Sequence, residues 1–181
     1  MKIIETEIPD VKIIEPSVYG DERGFFLESW NKKAFEEKGL PTHFVQDNHS
    51  RSSQGILRGM HYQTQHTQGK LVRVTAGAVF DVAVDLRETS ATFGKWVGVE
   101  LSASNHRMLW VPEKFAHGFY VMSEYADFLY KCTDLYSPAH DQSLLWNDAK
   151  VGIEWPLVNG VAPTLSDKDA SAKTFDEAPK F

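Results

Sequence analysis

A mainly β fold of antiparallel strands with a few short helices is what this sequence predicts. Short β-type runs separated by turn residues follow one another along most of the chain, and only two short segments carry helix-start signals. The 181 residues, 42% of them hydrophobic, are enough for one domain with a sizeable core, which we expect to span residues 1–181. Many short strands with few helices are typical of a sandwich, a jelly roll or a barrel.

The first elements are an aromatic-rich strand and a short helix. The strand is predicted over residues 24–30, which include Phe25, Phe26 and Trp30. A helix is predicted over residues 31–39, because asparagine is a common N-cap, glycine often ends a helix and Pro41 follows.

Alternation and turn residues predict the later elements. Two strands, residues 70–75 and 78–86, are joined through Ala76 and Gly77. A hairpin is predicted for residues 118–122 and 127–133, connected by residues 123–126. Further strands are predicted over residues 96–101, 108–111 and 144–146, and a second short helix is predicted to begin at Ser166.

Two acidic residues occupy alternate positions in the predicted strand 78–86. Alternation places Asp81, Ala83 and Asp85 on the face opposite the hydrophobic set that begins at Phe80. Solvation of both carboxylates is the default expectation. The alternative is that one of them orients a histidine in a pocket.

Bulk properties exclude several classes of protein. A formal net charge of −6 argues against nucleic-acid binding, which normally requires a basic face. No stretch is long and apolar enough to span a bilayer, and the opening residues 1–5 lack the apolar core of a signal peptide. The single cysteine, Cys132, allows no intrachain disulfide. A cytoplasmic enzyme without membrane or nucleic-acid partners is therefore expected.

The most informative motif is Leu-Arg-Gly-Met-His-Tyr-Gln over residues 57–63, followed by Gln-Gly-Lys-Leu-Val-Arg-Val over residues 68–74. It brings His61, Arg58 and Lys70 close together on β-type segments, and Arg23 and Arg73 are further local cations. A histidine is the side chain best matched to proton transfer near neutral pH. A base beside cations suits removal of a proton next to a carbonyl, or recognition of a phosphate.

Three further residues each have a structural and a chemical interpretation. His117 is either a turn histidine or a ligand contact, and Tyr130 is either a core aromatic or a proton donor. Asp169 completes a capping-box-like Ser166-x-x-Asp169, or it accepts a hydrogen bond from His61 and fixes its tautomer. A metal site built on His61, His66 and His117 is less expected, because there is no His-x-His pair.

Taken together, the motifs resemble the dTDP-4-dehydrorhamnose 3,5-epimerase family over nearly the whole chain. The matching segments, in order, are residues 19–26 (YGDERGFF), 44–50 (FVQDNHS), 57–61 (LRGMH), 68–73 (QGKLVR), 80–87 (FDVAVDLR), 115–119 (FAHGF), 130–131 (YK), 152–156 (GIEWP) and 165–169 (LSDKD). The resemblance implies a cupin-type jelly-roll barrel that acts on dTDP-4-dehydro-6-deoxy-D-glucose and inverts C3 and C5.

The resemblance also implies a role for each catalytic residue. His61 is the base, paired with Asp169, and Tyr130 is the acid on the opposite face of the sugar. Lys70 stabilises the enolate at O4, with His117 nearby and Asp81 orienting that histidine.

Nucleotide and pyrophosphate contacts are implied for a larger set of positions: Arg23, Glu28, Gln46, Asp47, Asn48, Arg58, Asp141 and Lys168. Phe26 and Tyr136 are candidates for stacking on the thymine. The family is dimeric and uses neither a metal nor an organic cofactor. This chain departs from the family pattern at Met60, at residues 89–92 and at Asp141, where glutamate is common.

Three alternatives remain open from the sequence. A narrower enzyme would invert only C3 or only C5. A non-catalytic nucleotide-sugar binding protein is disfavoured by the intact set of His61, Tyr130 and Asp169. A metal-dependent cupin oxygenase is disfavoured by the missing His-x-His pair.

Overall fold

Two antiparallel β-sheets form the body of the protein. The computed structural model describes residues 1–181. The strands are β1 (Lys2–Glu5), β2 (Lys12–Glu15), β3 (Val18–Asp21), β4 (Gly24–Leu27), β5 (Gln46–Ser53), β6 (Leu57–Gln63), β7 (Lys70–Ala76), β8 (Ala78–Asp85), β9 (Trp96–Ser102), β10 (Met108–Val111), β11 (Phe115–Val121), β12 (Tyr125–Cys132) and β13 (Asp141–Ser143). The short helices are α1 (Lys32–Glu36) and α2 (Asp167–Ala170), with 3-10 turns at Pro138–His140 and Val158–Gly160.

The chain crosses between the sheets at most of its connections from β5 onward. One sheet has the order β1-β2-β10-β7-β12-β5, the other β13-β6-β11-β8-β9, and β3 and β4 form a separate hairpin. The main core lies between the sheets and includes Val72, Leu109, Val121 and Phe128, all essentially inaccessible. Full burial of such a side chain stabilises the fold by about 1.5–3 kcal/mol. This mainly β, jelly-roll arrangement confirms the predicted fold class.

A second hydrophobic cluster covers the outer face of the five-stranded sheet. It joins Val82 and Val84 of β8 to Met60 of β6 and to Phe175 near the C-terminus. The hydrophobic set predicted in β8 therefore does face apolar surroundings.

The expected solvation of the two acids in β8 is wrong, because Asp81 and Asp85 are both fully buried. The Asp85 carboxylate accepts hydrogen bonds from Arg87, Ser90 and Thr92, which replace water. Asp81 lies between the sheets and contacts a histidine, as the alternative interpretation required.

The predicted hairpin over residues 118–133 is wrong. Its two strands exist as β11 and β12, but β11 pairs with β6 and β8, whereas β12 pairs with β5 and β7. Residues 122–124 carry the chain from one sheet to the other. Alternation identifies a strand and its faces but not its partner, which is why sequence proximity was misleading here.

Two element boundaries also differ from expectation. The strand predicted over residues 144–146 is β13, three residues earlier, and Leu144 forms only an isolated bridge with Lys173. The strand predicted over residues 24–30 ends at Leu27.

Both predicted helices are present, with the predicted caps. The Asn31 side chain accepts a hydrogen bond from the Ala34 amide at 3.1 Å, and the Ser166 hydroxyl accepts one from the Asp169 amide at 3.2 Å. Gly39 follows α1 with a φ of +68°, a conformation that favours glycine. No helix is long and apolar enough to cross a membrane.

The β3–β4 hairpin stands apart from both sheets. Tyr19, Phe25 and Phe26 expose 66%, 63% and 69% of their surface, so three large aromatic residues face outward on one small element. Its contact with the rest of the chain includes the Phe25 ring, whose centroid lies 4.7 Å from that of His106.

Candidate active site

A cavity of about 400 Å³ opens between the two sheets. Strands β5, β7 and β12 supply one wall, and β6, β11 and β13 supply the other. Ten of the residues predicted for the site line it: Gln46, Asn48, Arg58, His61, Lys70, His117, Tyr130, Tyr136, Asp141 and Lys168. Residues distant in sequence thus converge on one space because alternate positions of facing strands point inward.

A histidine–aspartate pair lies on one side of this cavity. His61 Nε2 is 2.5 Å from Asp169 Oδ1, and the other ring nitrogen, Nδ1, makes no hydrogen bond within the protein. Burial acts to raise the pKa of the Asp169 carboxyl, but the hydrogen bond with His61 and those with its other neighbours hold that pKa below its ordinary value. The pair therefore holds a charged carboxylate against the imidazole and leaves Nδ1 available as a base.

The structure contains one part of each interpretation of Asp169: the helix cap by Ser166 and the hydrogen bond to His61. Its backbone amide is capped by Ser166, while its side chain reaches out of the first turn of α2 to His61. The Ser166 cap fixes the first turn of α2, and that turn directs the Asp169 carboxylate toward His61.

Tyr130 faces the cavity from the opposite sheet. It lies in β12 with Val72 and Asn48 as its register partners, whereas His61 lies in β6. The Tyr130 hydroxyl makes no hydrogen bond within the protein, and burial raises its pKa. A neutral O–H group is thus held across the cavity from the histidine.

Lys70 is a buried cation without a partner. The residue is 8% exposed, yet Nζ makes no hydrogen bond or ion pair, and burial lowers its pKa. Leaving an ammonium group in this state costs free energy unless an anion or a water arrives to compensate it. The position is suited to an anionic oxygen inside the cavity.

His117 is fixed by a buried carboxylate. Its Nε2 lies 3.0 Å from both oxygens of Asp81, and neither side chain is accessible beyond 7%. Burial lowers the pKa of His117 and raises that of Asp81. In the register of β11 and β6, His117 is the direct partner of His61, so the two imidazoles belong to the same wall.

The mouth of the cavity is polar. Gln46 donates to Asn48 at 3.1 Å, and Arg58 donates to the Ser52 hydroxyl at 2.8 Å. Lys168 forms an ion pair with Asp141, which also accepts a hydrogen bond from Tyr136. Two cations and several amides are therefore held at this opening.

Four predicted contacts do not line the cavity within this chain. Asp47 points to the outer face of β5, where its carboxylate is 3.0 Å from Lys131 Nζ. Arg23 pairs with Asp21 on the exposed hairpin, Glu28 accepts a hydrogen bond from Asn31 at 3.0 Å, and the Phe26 ring is exposed.

Sequence reasoning missed Gln63, Gln68 and Ser50 as cavity residues. Strand alternation was a usable signal for two of them. Gln63 follows His61 by two positions in β6, and Ser50 follows Asn48 by two positions in β5, so each shares the face of a predicted site residue. No three His, Cys, Asp or Glu side chains are grouped as a metal site.

Comparison with known proteins gives a consistent result over the whole chain. The sequence model of a family described as dTDP-4-dehydrorhamnose 3,5-epimerase matches residues 5–177. The enzyme of that name from Pseudomonas aeruginosa is 58% identical, covering 100% of this chain and 99% of its own length. The one from Salmonella typhimurium is 59% identical, covering 98% and 97%.

Solved structures agree with the sequence relatives. The dTDP-6-deoxy-D-glucose-3,5-epimerase of Legionella pneumophila, crystallised with dTDP-4-keto-L-rhamnose, has a TM-score of 0.95 at 55% identity, over 99% of this chain and 98% of that one. A 3'-monoepimerase of Streptomyces bikiniensis, in complex with dTDP-quinovose, has a TM-score of 0.88 at 31% identity, over 95% and 87%.

Proposed function

Since this chain belongs to the dTDP-4-dehydrorhamnose 3,5-epimerase family, and is thus an epimerase of dTDP-L-rhamnose biosynthesis, we propose that it inverts C3 and C5 of dTDP-4-dehydro-6-deoxy-D-glucose through an enolate. The observation that carries the mechanism is the placement of His61 and Tyr130 on opposite walls of one cavity. Inversion of a carbon needs a proton removed from one face and another delivered to the opposite face.

The C4 ketone of the substrate acidifies the hydrogens on C3 and C5. His61 Nδ1 removes one of them. The C–H electron pair becomes a double bond to C4, and the π electrons of the carbonyl move onto O4, which becomes negatively charged. Lys70, the unpartnered cation, stabilises that oxyanion, an effect worth about 3–4 kcal/mol for a well-placed donor. Tyr130 then gives its hydroxyl proton to the other face of the carbon. Proton exchange with water reprotonates Tyr130 and deprotonates His61 before the second carbon reacts.

Asp169 and Asp81 support this chemistry without touching the sugar. Asp169 holds His61 in one orientation and stabilises the imidazolium that forms when Nδ1 takes a proton. Asp81 holds His117 in one orientation, and the β11–β6 register places His117 opposite His61 on the same wall.

The polar mouth is proposed to hold the nucleotide. Arg58 and Lys168 supply positive charge for the pyrophosphate, and Gln46 and Asn48 supply amide donors and acceptors. Tyr136 presents an exposed ring at the same opening, suited to stacking on the thymine. Because the substrate is a nucleotide sugar, we also place the protein in the cytoplasm, where such precursors are made.

We propose that Arg23, Glu28 and Phe26 reach the nucleotide from a second copy of the chain. The β3–β4 hairpin projects its aromatic residues outward, and a surface of this kind marks a protein contact. A homodimer would bury these rings and carry Arg23 to a neighbouring site. Sedimentation equilibrium should then give twice the 20.5 kDa of the chain, and Phe25→Asp with Phe26→Asp should shift it to a monomer. A monomeric wild-type protein with full activity would contradict the dimer.

Deuterium incorporation tests the proposed reaction directly. With the 4-keto sugar nucleotide in deuterated water, we expect label at both C3 and C5 of the product, measured by NMR. Both carbons flank the same ketone, so one base and one oxyanion site serve both. Label at a single carbon would make the protein a mono-epimerase, and no label would indicate a binding protein.

A further inference from the structure

Gln63 ties together the loops that form the mouth of the cavity. Its side-chain amide Nε2 donates to the carbonyl oxygens of His66, at 2.6 Å, and Leu135, at 3.2 Å. Its Oε1 accepts from the Ser137 amide at 2.8 Å. The residue is 4% exposed, so these hydrogen bonds are shielded from solvent, where losing a hydrogen-bond partner costs the most free energy.

The donors of this amide are fully used. A glutamine side chain has two N–H donors, and both point to backbone carbonyls here. Gln63 therefore has no donor left for a ligand, although it lines the cavity beside His61. Only one acceptor position of Oε1 remains unused, so the main effect of Gln63 on a bound ligand passes through the loops that it holds.

Residues 133–140, called here the mouth loop, carry the groups at the nucleotide end. Tyr136 donates its backbone amide to Gln46 Oε1 and its hydroxyl to Asp141, both at 3.0 Å. The Tyr136 residue is 54% exposed, so burial contributes little to fixing its position. Hydrogen bonds on either side of it, including the one from Gln63 to the Leu135 carbonyl and the one from the Ser137 amide to Gln63, fix the position of the ring.

The second loop held by Gln63 contains a strained residue. His66 has a φ of +54°, in the left-handed region that L-residues other than glycine rarely adopt. Such a conformation persists only where neighbouring contacts impose it. The 2.6 Å bond from Gln63 to the His66 carbonyl is one such contact.

We propose that Gln63 is a positioning residue for nucleotide recognition, acting through the mouth loop on Tyr136 and Asp141 and not on proton transfer at the sugar. The proposal rests on the function proposed above, which assigns the mouth of the cavity to the nucleotide. Two residues of β6 then have different roles. His61 transfers protons at the sugar, and Gln63, two residues later, positions the groups that bind the nucleotide.

The test replaces the amide by an apolar side chain of similar length, Gln63→Met. Gln63→Met removes all three buried hydrogen bonds of this side chain. We expect the Kd for dTDP, measured by titration calorimetry, to rise about tenfold or more, which corresponds to the net contribution of about one hydrogen bond. KM for the sugar nucleotide should rise in parallel. The value of kcat at saturation should stay within about twofold of the wild-type value, because Gln63 holds the loops at the nucleotide end and not the groups that transfer protons. Gln54→Met is the control for the chemical change, because the exposed Gln54 also donates to a distant backbone carbonyl, that of Met122, but lies beyond the far end of β5.

Gln63→Glu provides a rescue that a merely structural role would not show. The carboxylate keeps an acceptor for Ser137 but offers no donor to His66 or Leu135, and its burial raises its pKa. Protonation at lower pH restores one O–H donor. The ratio of the variant's Kd for dTDP to that of the wild type should therefore fall between pH 8 and pH 5. Taking the ratio removes the titration of the phosphates themselves.

A lowered kcat with an unchanged Kd for dTDP in Gln63→Met would overturn the inference, as would an equal response in Gln54→Met. Failure of the proposed function is distinct, because the wild-type protein itself would then neither bind dTDP nor turn over the sugar nucleotide. If Gln63→Met does not fold, the pH dependence of the Kd ratio in Gln63→Glu decides the matter: a ratio that stays constant between pH 8 and pH 5 would overturn the inference.

Discussion

His61→Ala is expected to abolish solvent exchange and inversion together, with a loss of about 10²–10⁴-fold, the range typical for a positioned general base. The enolate does not form without a base at this position, so neither C3 nor C5 should take up deuterium. His117 lies on the same wall but is held by Asp81 through Nε2 and is only 6% exposed, which makes it a poor substitute. The measurement is NMR of the sugar in deuterated water over time.

A second variant separates the loss of the base from a loss of stability. Alanine leaves the Asp169 carboxylate, 3% exposed, without its histidine partner, which destabilises the fold. His61→Asn retains an N–H donor toward Asp169 and should lose exchange equally, with a smaller decrease in Tm. His49→Asn is the matched control, since His49 lies on the exposed face of β5. Exchange that survives in both His61 variants would assign the base to another residue.

Tyr130→Phe should separate exchange from inversion. The phenyl ring keeps the packing of Tyr130 beside Phe128, but the hydroxyl that delivers the proton is gone. His61 still forms the enolate, exchanges its proton with solvent and returns a deuteron to the face that it left. Exchange with retained configuration should then exceed inversion by about 10²-fold or more. Tyr125→Phe, in the same strand at its exposed end, is the control.

Lys70→Met is the complementary variant for this comparison. Because Lys70 stabilises the enolate itself, its loss should depress exchange and inversion by the same factor, about 10²–10³-fold. Lys131→Met, on the outer face of β12, should leave both rates unchanged. If exchange and inversion fall together in Tyr130→Phe as they do in Lys70→Met, Tyr130 is not the acid.

Local sequence patterns predicted the features that depend on residues close together in the sequence. Asn31 and Ser166 were identifiable as helix caps, because a cap bonds an amide three residues away. The faces of the strands were identifiable from alternation, which put Phe128, Tyr130 and Cys132 together. The clustering of Arg58, His61 and Lys70 was visible for the same reason. Resemblance to a known family then supplied the roles of residues that pattern alone left as core or cap positions.

Tertiary structure alone decided which segments meet. Asp169 and His61 are 108 residues apart, and their contact follows from α2 packing against β6, not from any local signal. The strands β11 and β12 are neighbours in sequence but belong to different sheets, and this separation places His117 and Tyr130 on opposite walls. Alternation has a period of two and carries no information on the partner strand. The partner strand is determined by burial of side chains that are far apart in sequence. The same burial therefore determines the distance between the base His61 and the acid Tyr130.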